Sequence, residues 1–141
     1  MMAEGWRTLG IRWLKFNAVG AMGVLVQLVS LGVLVSGFGL NYMAATAIAV
    51  EIAVLHNFVW HQRFTWKDRG SVSRKEIAFR LLKFNLSNGG ISIVGNLVLM
   101  KLLTGAFHLN YLAANGASIA VLSLANFAVS HTFVFQRDRG K

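Results

Sequence analysis

Arg12-Trp13-Leu14-Lys15-Phe16-Asn17 is written again as Arg80-Leu81-Leu82-Lys83-Phe84-Asn85, each copy at the head of a long apolar run. The agreement continues: Asn41-Tyr42 with Ala44-Ala45 returns as Asn110-Tyr111 with Ala113-Ala114, and Asn57-Phe58 returns as Asn126-Phe127. After each Asn-Phe pair comes an aromatic and basic exit, Trp60-His61-Gln62-Arg63-Phe64-Thr65-Trp66-Lys67 and then His131-Thr132-Phe133-Val134-Phe135-Gln136-Arg137. One unit therefore runs from a basic head through two apolar arms to an aromatic-basic tail. The chain reads as a duplicated membrane hairpin, one membrane domain over 1–141 with repeat one at 12–67 and repeat two at 80–137.

Composition agrees. With 55% hydrophobic and only 13% charged residues, the chain lacks the charged surface of an ordinary soluble domain. Proline and cysteine are absent, so neither a disulfide framework nor a thiolate metal site is available. The formal charge of +9 raises nucleic acid as a partner, but the basic residues cap apolar runs instead of lining one soluble face, which excludes it. Arg7 to Val35 has the flavour of a signal peptide, yet its apolar run is longer than an h-region and no small-x-small cleavage site follows; the segment is expected to be retained.

From Phe16 to Val50 there is no Lys, Arg, Asp or Glu, and at about 1.5 Å per residue such a run is too long for one crossing of a core roughly 30 Å thick. It must turn, and Ser36-Gly37-Phe38-Gly39-Leu40-Asn41 supplies the turn residues. The spacing predicts helices at about 17–35 and 42–60, then 84–103 and 111–130, with a second turn at Thr104 to Asn110. Trp6, Leu9, Trp13 and Phe16 fall at helical spacing beside Arg12 and Lys15, the pattern of a short interfacial helix leading into the first span; Ile77, Leu81 and Phe84 repeat it before the third. Fold class is thus all-α integral membrane: four spans as two tandem two-helix repeats.

Of the 14 Lys and Arg residues, all but Lys101 lie in the N-terminus, the central stretch and the C-terminal tail. By the positive-inside rule both termini and the central loop are cytoplasmic, so the repeats share one orientation, related by an axis along the membrane normal.

Inside the membrane, Ala45, Ala49, Ala53, Asn57 and His61 stand four apart, a stripe that lets helices approach closely. Glu51 lies about 200° around the helix from it and, as an intramembrane carboxylate, needs protein, a wet cavity or a partner subunit, in a functional or a structural role. Asn88, Ser92 and Asn96 form a second polar stripe, which with Gln27 and Asn115 either lines a headgroup-sized groove or makes interhelical hydrogen bonds, while Asn57 and Asn126 are read as headgroup-boundary contacts. His56, His61 and His131 lack the i, i+4 spacing with a nearby carboxylate that a metal site needs, and His108 sits in the opposite turn; they are read as cavity or headgroup contacts, with no metal. Arg12, Lys15, Arg80, Lys83 and Arg63 are either topology anchors or a lipid-phosphate site on which two Arg-x-x-Lys pairs converge.

Lys15-Phe16-Asn17-Ala18-Val19-Gly20, the four spans, and the exits Asn57-Phe58 with Arg63-Phe64-Thr65-Trp66 and Asn126-Phe127 with Thr132-Phe133-Val134-Phe135 resemble the GtrA-like family of small bacterial membrane proteins. The resemblance covers nearly the whole chain and implies flipping of a polyprenyl-phosphate-linked sugar across the bacterial inner membrane for cell-surface polysaccharide synthesis. This chain departs from symmetry by placing Ala120 opposite Glu51 and Ser130 opposite His61. Two further readings stand beside that one: a non-transporting subunit that recruits a glycosyltransferase, and a small multidrug exporter, against which the one-way charge bias argues. Neither an enzyme nor a cofactor is expected, because paired carboxylates, an activated Ser or Cys, and a phosphate loop are all missing. Four helices enclose little volume, so a homodimer is expected.

Overall fold

The computed structural model describes residues 5–69 and 73–135. The linker residues 70–72 and the tail from Gln136, including Arg137, lie outside the described residues, as does the side chain of Asn115. Among the described residues the chain is all helical, with four helices long and apolar enough to cross a membrane. It is a multi-pass membrane protein, divided into two compact units at Asp68 and Arg69.

In unit 1, α1 (Trp6–Gly32) passes without a break from the basic head into the span. The basic head was expected to lead straight into the span, and with no proline to interrupt it the hydrogen-bond ladder runs on through Phe16. A π-helical turn, Val33–Gly37, closes α1 with Phe38 N–H donating to Val33 O at 3.2 Å and Leu40 N–H to Leu34 O at 3.0 Å. Gly39 then takes φ +68°, the left-handed conformation that favours glycine. Asn41 starts α2 (Tyr42–Trp60) by accepting the Ala44 N–H at 2.8 Å.

The expected small stripe is the seam of this hairpin. Ala45, Ala49 and Ala53 are buried in the packing of α2 against α1, and Gly23 lies so close to Asn57 that a Cβ there would stand 2.2 Å from Oδ1. Lipid tails are as apolar as leucine, so close backbone approach and van der Waals contact must hold the pair.

In unit 2, Ser73 and Glu76 form a reciprocal capping box (Ser73 N–H to Glu76 Oε2 2.8 Å, Glu76 N–H to Ser73 Oγ 3.3 Å) that opens α3 (Arg74–Lys101). Again the basic head is the first turns of the spanning helix. After the π turn Leu102–Ala106, His108 adopts φ +53° where unit 1 has Gly39, and Asn110 caps α4 (Tyr111–Val129). The seam against α3 is Ala114, Ser118, Leu122, Asn126 and Ser130. Ser118 donates to its own helix at Ala114 O, 2.8 Å, and so packs as a small residue. Leu122, standing where unit 1 has Ala53, lies against Gly95, where a Cβ would be 2.3 Å from Leu122 Cδ2.

Side-chain bonds cross this seam: Asn88 Nδ2 donates to Ser130 Oγ and Asn126 Nδ2 to Ser92 Oγ, each at 3.1 Å. Ser130→Ala removes the first acceptor and is expected to cost about 1 kcal/mol. The measurement is thermal unfolding of the detergent-solubilised protein, and an unchanged midpoint would show that Asn88 finds an equal partner.

Candidate functional site

At the head of each hairpin the repeated hexapeptide meets the aromatic exit that follows the second helix of the same unit. In unit 1 the meeting is made by a second π turn, His61–Thr65. This wide turn inverts neighbouring side chains: Thr65 and Trp66 are buried, while Phe64 is exposed toward Lys15.

Phe16 stacks on His61 with centroids 4.6 Å apart and planes at 12°. Trp66 presents its edge to both rings, at 6.0 Å and 5.4 Å, and His61 Nδ1 lies 3.1 Å from Thr65 Oγ1. His61 is 2% exposed, so it sits inside the collar. Arg12 is also buried and donates from Nη2 to Asp68. Lys15, one turn on, holds Nζ 4.6 Å from the Phe64 centroid, a cation–π geometry.

Unit 2 is built on the same plan with different residues. The π turn Ser130–Val134 buries Val134 and Phe135 and leaves Phe133 exposed. Phe84 meets Phe135 edge-on at 6.1 Å, Arg80 is buried, and Lys83 Nζ lies 4.6 Å from the centroids of both Phe79 and Phe133. Arg69 donates from Nη1 to the carbonyls of His131 (2.8 Å) and Phe135 (2.6 Å), closing the end of the π turn where main-chain acceptors are left over. His131 leans on Phe127, centroids 5.7 Å apart, with Arg69 Nη2 within 3.1 Å of its ring nitrogens.

Each Arg-x-x-Lys pair is therefore split by the fold: the arginine turns inward and the lysine faces out across an aromatic ring. The ammonium of Lys15 rests on one ring and that of Lys83 on two, and any N–H donor that points away from the rings can take an oxyanion. Arg63 is exposed beyond this layer.

The other predicted residues lie deeper. Glu51 is exposed on the side of α2 away from the alanine seam, and His56 Nδ1 lies 3.3 Å from Asn57 Oδ1 beside Gly23. Asn88 and Ser92 are tied into the α3–α4 seam; Asn96, one turn further, is exposed. Asn126 gives Nδ2 to Ser92, while its Oδ1 is buried with no hydrogen-bond partner, an unsatisfied acceptor enclosed beside the polar stripe.

Sequence reasoning missed Asp68 and Arg69 as collar residues, and Phe64 and Phe133 as lysine platforms. The signal for the last two was the three-residue exit itself, Phe64-Thr65-Trp66 and Phe133-Val134-Phe135: its first aromatic covers the lysine and its last fills the core.

Comparison with known proteins adds two findings. Residues 15–135 match the family described as GtrA/DPMS, transmembrane domain. The chain is also 36% identical over 110 residues to the dolichol-phosphate mannosyltransferase of Pyrococcus furiosus, a match covering 78% of this chain and 30% of that protein.

Proposed function

From the premise that the chain belongs to the GtrA/DPMS transmembrane-domain family, we propose that it handles polyprenyl-phosphate-linked sugars and moves them across the bacterial inner membrane, its termini on the cytoplasmic side. The observation that carries this reading is the pair of outward lysines, Lys15 and Lys83, each pinned over phenylalanine beside a buried arginine. A phosphate reaching either collar finds a charge already oriented and partly stripped of water, which strengthens a charge-assisted bond. Arg63 adds a looser cation at the rim of unit 1.

Deeper in unit 2, exposed Asn96, with the hydrogen-bonding capacity that Asn88 and Ser92 keep beyond their seam bonds, offers the partners that sugar hydroxyls need when water is absent. Glu51 supplies a carboxylate for proton coupling. The chain does no transfer chemistry of its own on this reading, and a membrane glycosyltransferase uses the delivered lipid. The relative's name supports the substrate class, since that protein is named as a dolichol-phosphate mannosyltransferase.

That relative also favours a second reading, in which the chain anchors or recruits a glycosyltransferase without moving lipid, because the chain spans about 30% of a protein named as a transferase.

Reconstitution in liposomes with a polyprenyl-phosphate sugar separates the two. Translocation predicts faster appearance on the far leaflet than in protein-free liposomes, with Lys15→Ala and Lys83→Ala each slowing it about tenfold and Glu51→Gln removing any response to a proton gradient. No acceleration would reject translocation; co-purification with a glycosyltransferase would then support anchoring.

A further inference from the structure

Lys101 belongs to neither collar. It ends α3, the helix whose head carries Lys83, and the two lysines are eighteen residues apart. Eighteen residues make five turns, so both lie on one face of the helix about 27 Å apart, close to the roughly 30 Å thickness of a hydrocarbon core. Between them this face presents Gly90, Val94, Leu97 and Val98, all exposed.

Lys101 borders an open groove of ≈ 620 Å³ whose other walls are Val98, Leu102, Gly105 and Ala106. The π turn Leu102–Ala106 forms its far side, and a Cβ built at Gly105 would meet nothing within 4 Å. The groove is thus aliphatic, with one cation at its rim. A neutral lipid leaves that ammonium uncompensated, a zwitterionic headgroup brings a cation of its own, and a soluble phosphate ester has nothing to lay against the walls. An isoprenoid or similar chain ending in a phosphate satisfies both parts.

A lysine serving only to mark the end of a span is the ordinary alternative. Against it, the matching position in the first repeat, the last residue of α1 before its π turn, is Gly32, so the hairpin plan does not require a cation there.

We propose that the Lys101 groove is a second lipid-phosphate site, placed in the leaflet opposite the Lys83 collar. The phosphate rests on Lys101 Nζ and the chain runs along Val98, Leu102 and Ala106. The inference rests on the lipid reading given above, and deepens it by supplying the receiving end of the path.

The test uses the full chain in phosphatidylcholine nanodiscs with a diazirine-bearing polyprenyl phosphate, and maps photo-adducts by mass spectrometry. Two clusters of adducts are expected, one around Lys83 and Phe133 and one within 98–106. Lys101→Gln should weaken the second about fivefold while sparing the first, the effect of one lysine near an anionic lipid. Gly105→Leu should do the same by filling the groove, in a position the fold leaves open. Labelling at the Lys83 end with none in 98–106, or labelling there that both variants leave unchanged, overturns the second site alone. Absence of labelling at both ends overturns it together with the lipid reading.

Discussion

Phe16→Ala is expected to lower the stability of the solubilised protein by about 3 kcal/mol, toward the lower end for a buried phenylalanine. The ring is 8% exposed and lies flat on His61, with the Trp66 edge against it. Removing it strips one face from an imidazole that is itself buried, and unlocks the join between the head of α1 and the tail of the hairpin. The loss is held below that in a soluble core because the collar is near the end of the span, where acyl chains can follow the retreating side chain. Leu25→Ala on the same helix, 64% exposed, is the control and should be almost silent, since it exchanges leucine contacts for lipid contacts of the same kind. Unfolding midpoints in mild detergent measure both. A Phe16 variant as stable as the Leu25 variant would mean that the collar is not a packing unit.

The second large effect is expected from Ala49→Leu. Ala49 is fully buried at the centre of the α1–α2 seam, and three added carbon atoms have no void to enter. Overpacking of this kind costs roughly 1–3 kcal/mol, and here it also drives apart the backbones whose closeness holds the hairpin together. Ala47, two residues earlier on the exposed side of α2, accepts the same change to leucine at almost no cost. Cysteine pairs placed across the seam, such as Gly23 with Asn57, should cross-link readily in the parent chain and poorly in the Ala49 variant. Equal cross-linking in both would show that the seam is not set by side-chain size.

The residues most legible in the sequence were those whose fate depends on spacing alone. Tyr42 to Trp60 was placed as a helix with the limits it has, because asparagine caps one end and the turn before it contains Gly39. The seam of α2 was legible too, since only small side chains recur at 45, 49 and 53. Its continuation in α4 was hidden: Leu122 interrupts the small residues, and its fit depends on Gly95, which lies on another helix. The basic and aromatic heads were legible as the entries to the first and third spans, and each is continuous with the helix that follows it.

The collar shows the boundary most clearly. Arg12 and Lys15 stand three apart on one helix, as do Arg80 and Lys83, and local spacing treats the members of each pair as equivalent phosphate ligands. They are not equivalent in the fold. The Asp68 partner of Arg12, and the Phe64 and Phe133 faces beside Lys15 and Lys83, come from residues about fifty positions downstream, brought back by a turn wider than an α-helical one, while Phe79 adds a local face to Lys83.

From the sequence alone come the four spans, their turns and the small-residue seam of α2. In a bilayer the backbone must satisfy itself within each helix, so length, apolarity and charge placement leave few alternatives. Only the tertiary structure decides which polar side chain is spent inside the protein and which is left facing outward. That choice is made by packing between segments distant in the chain, and no local pattern of residues contains it.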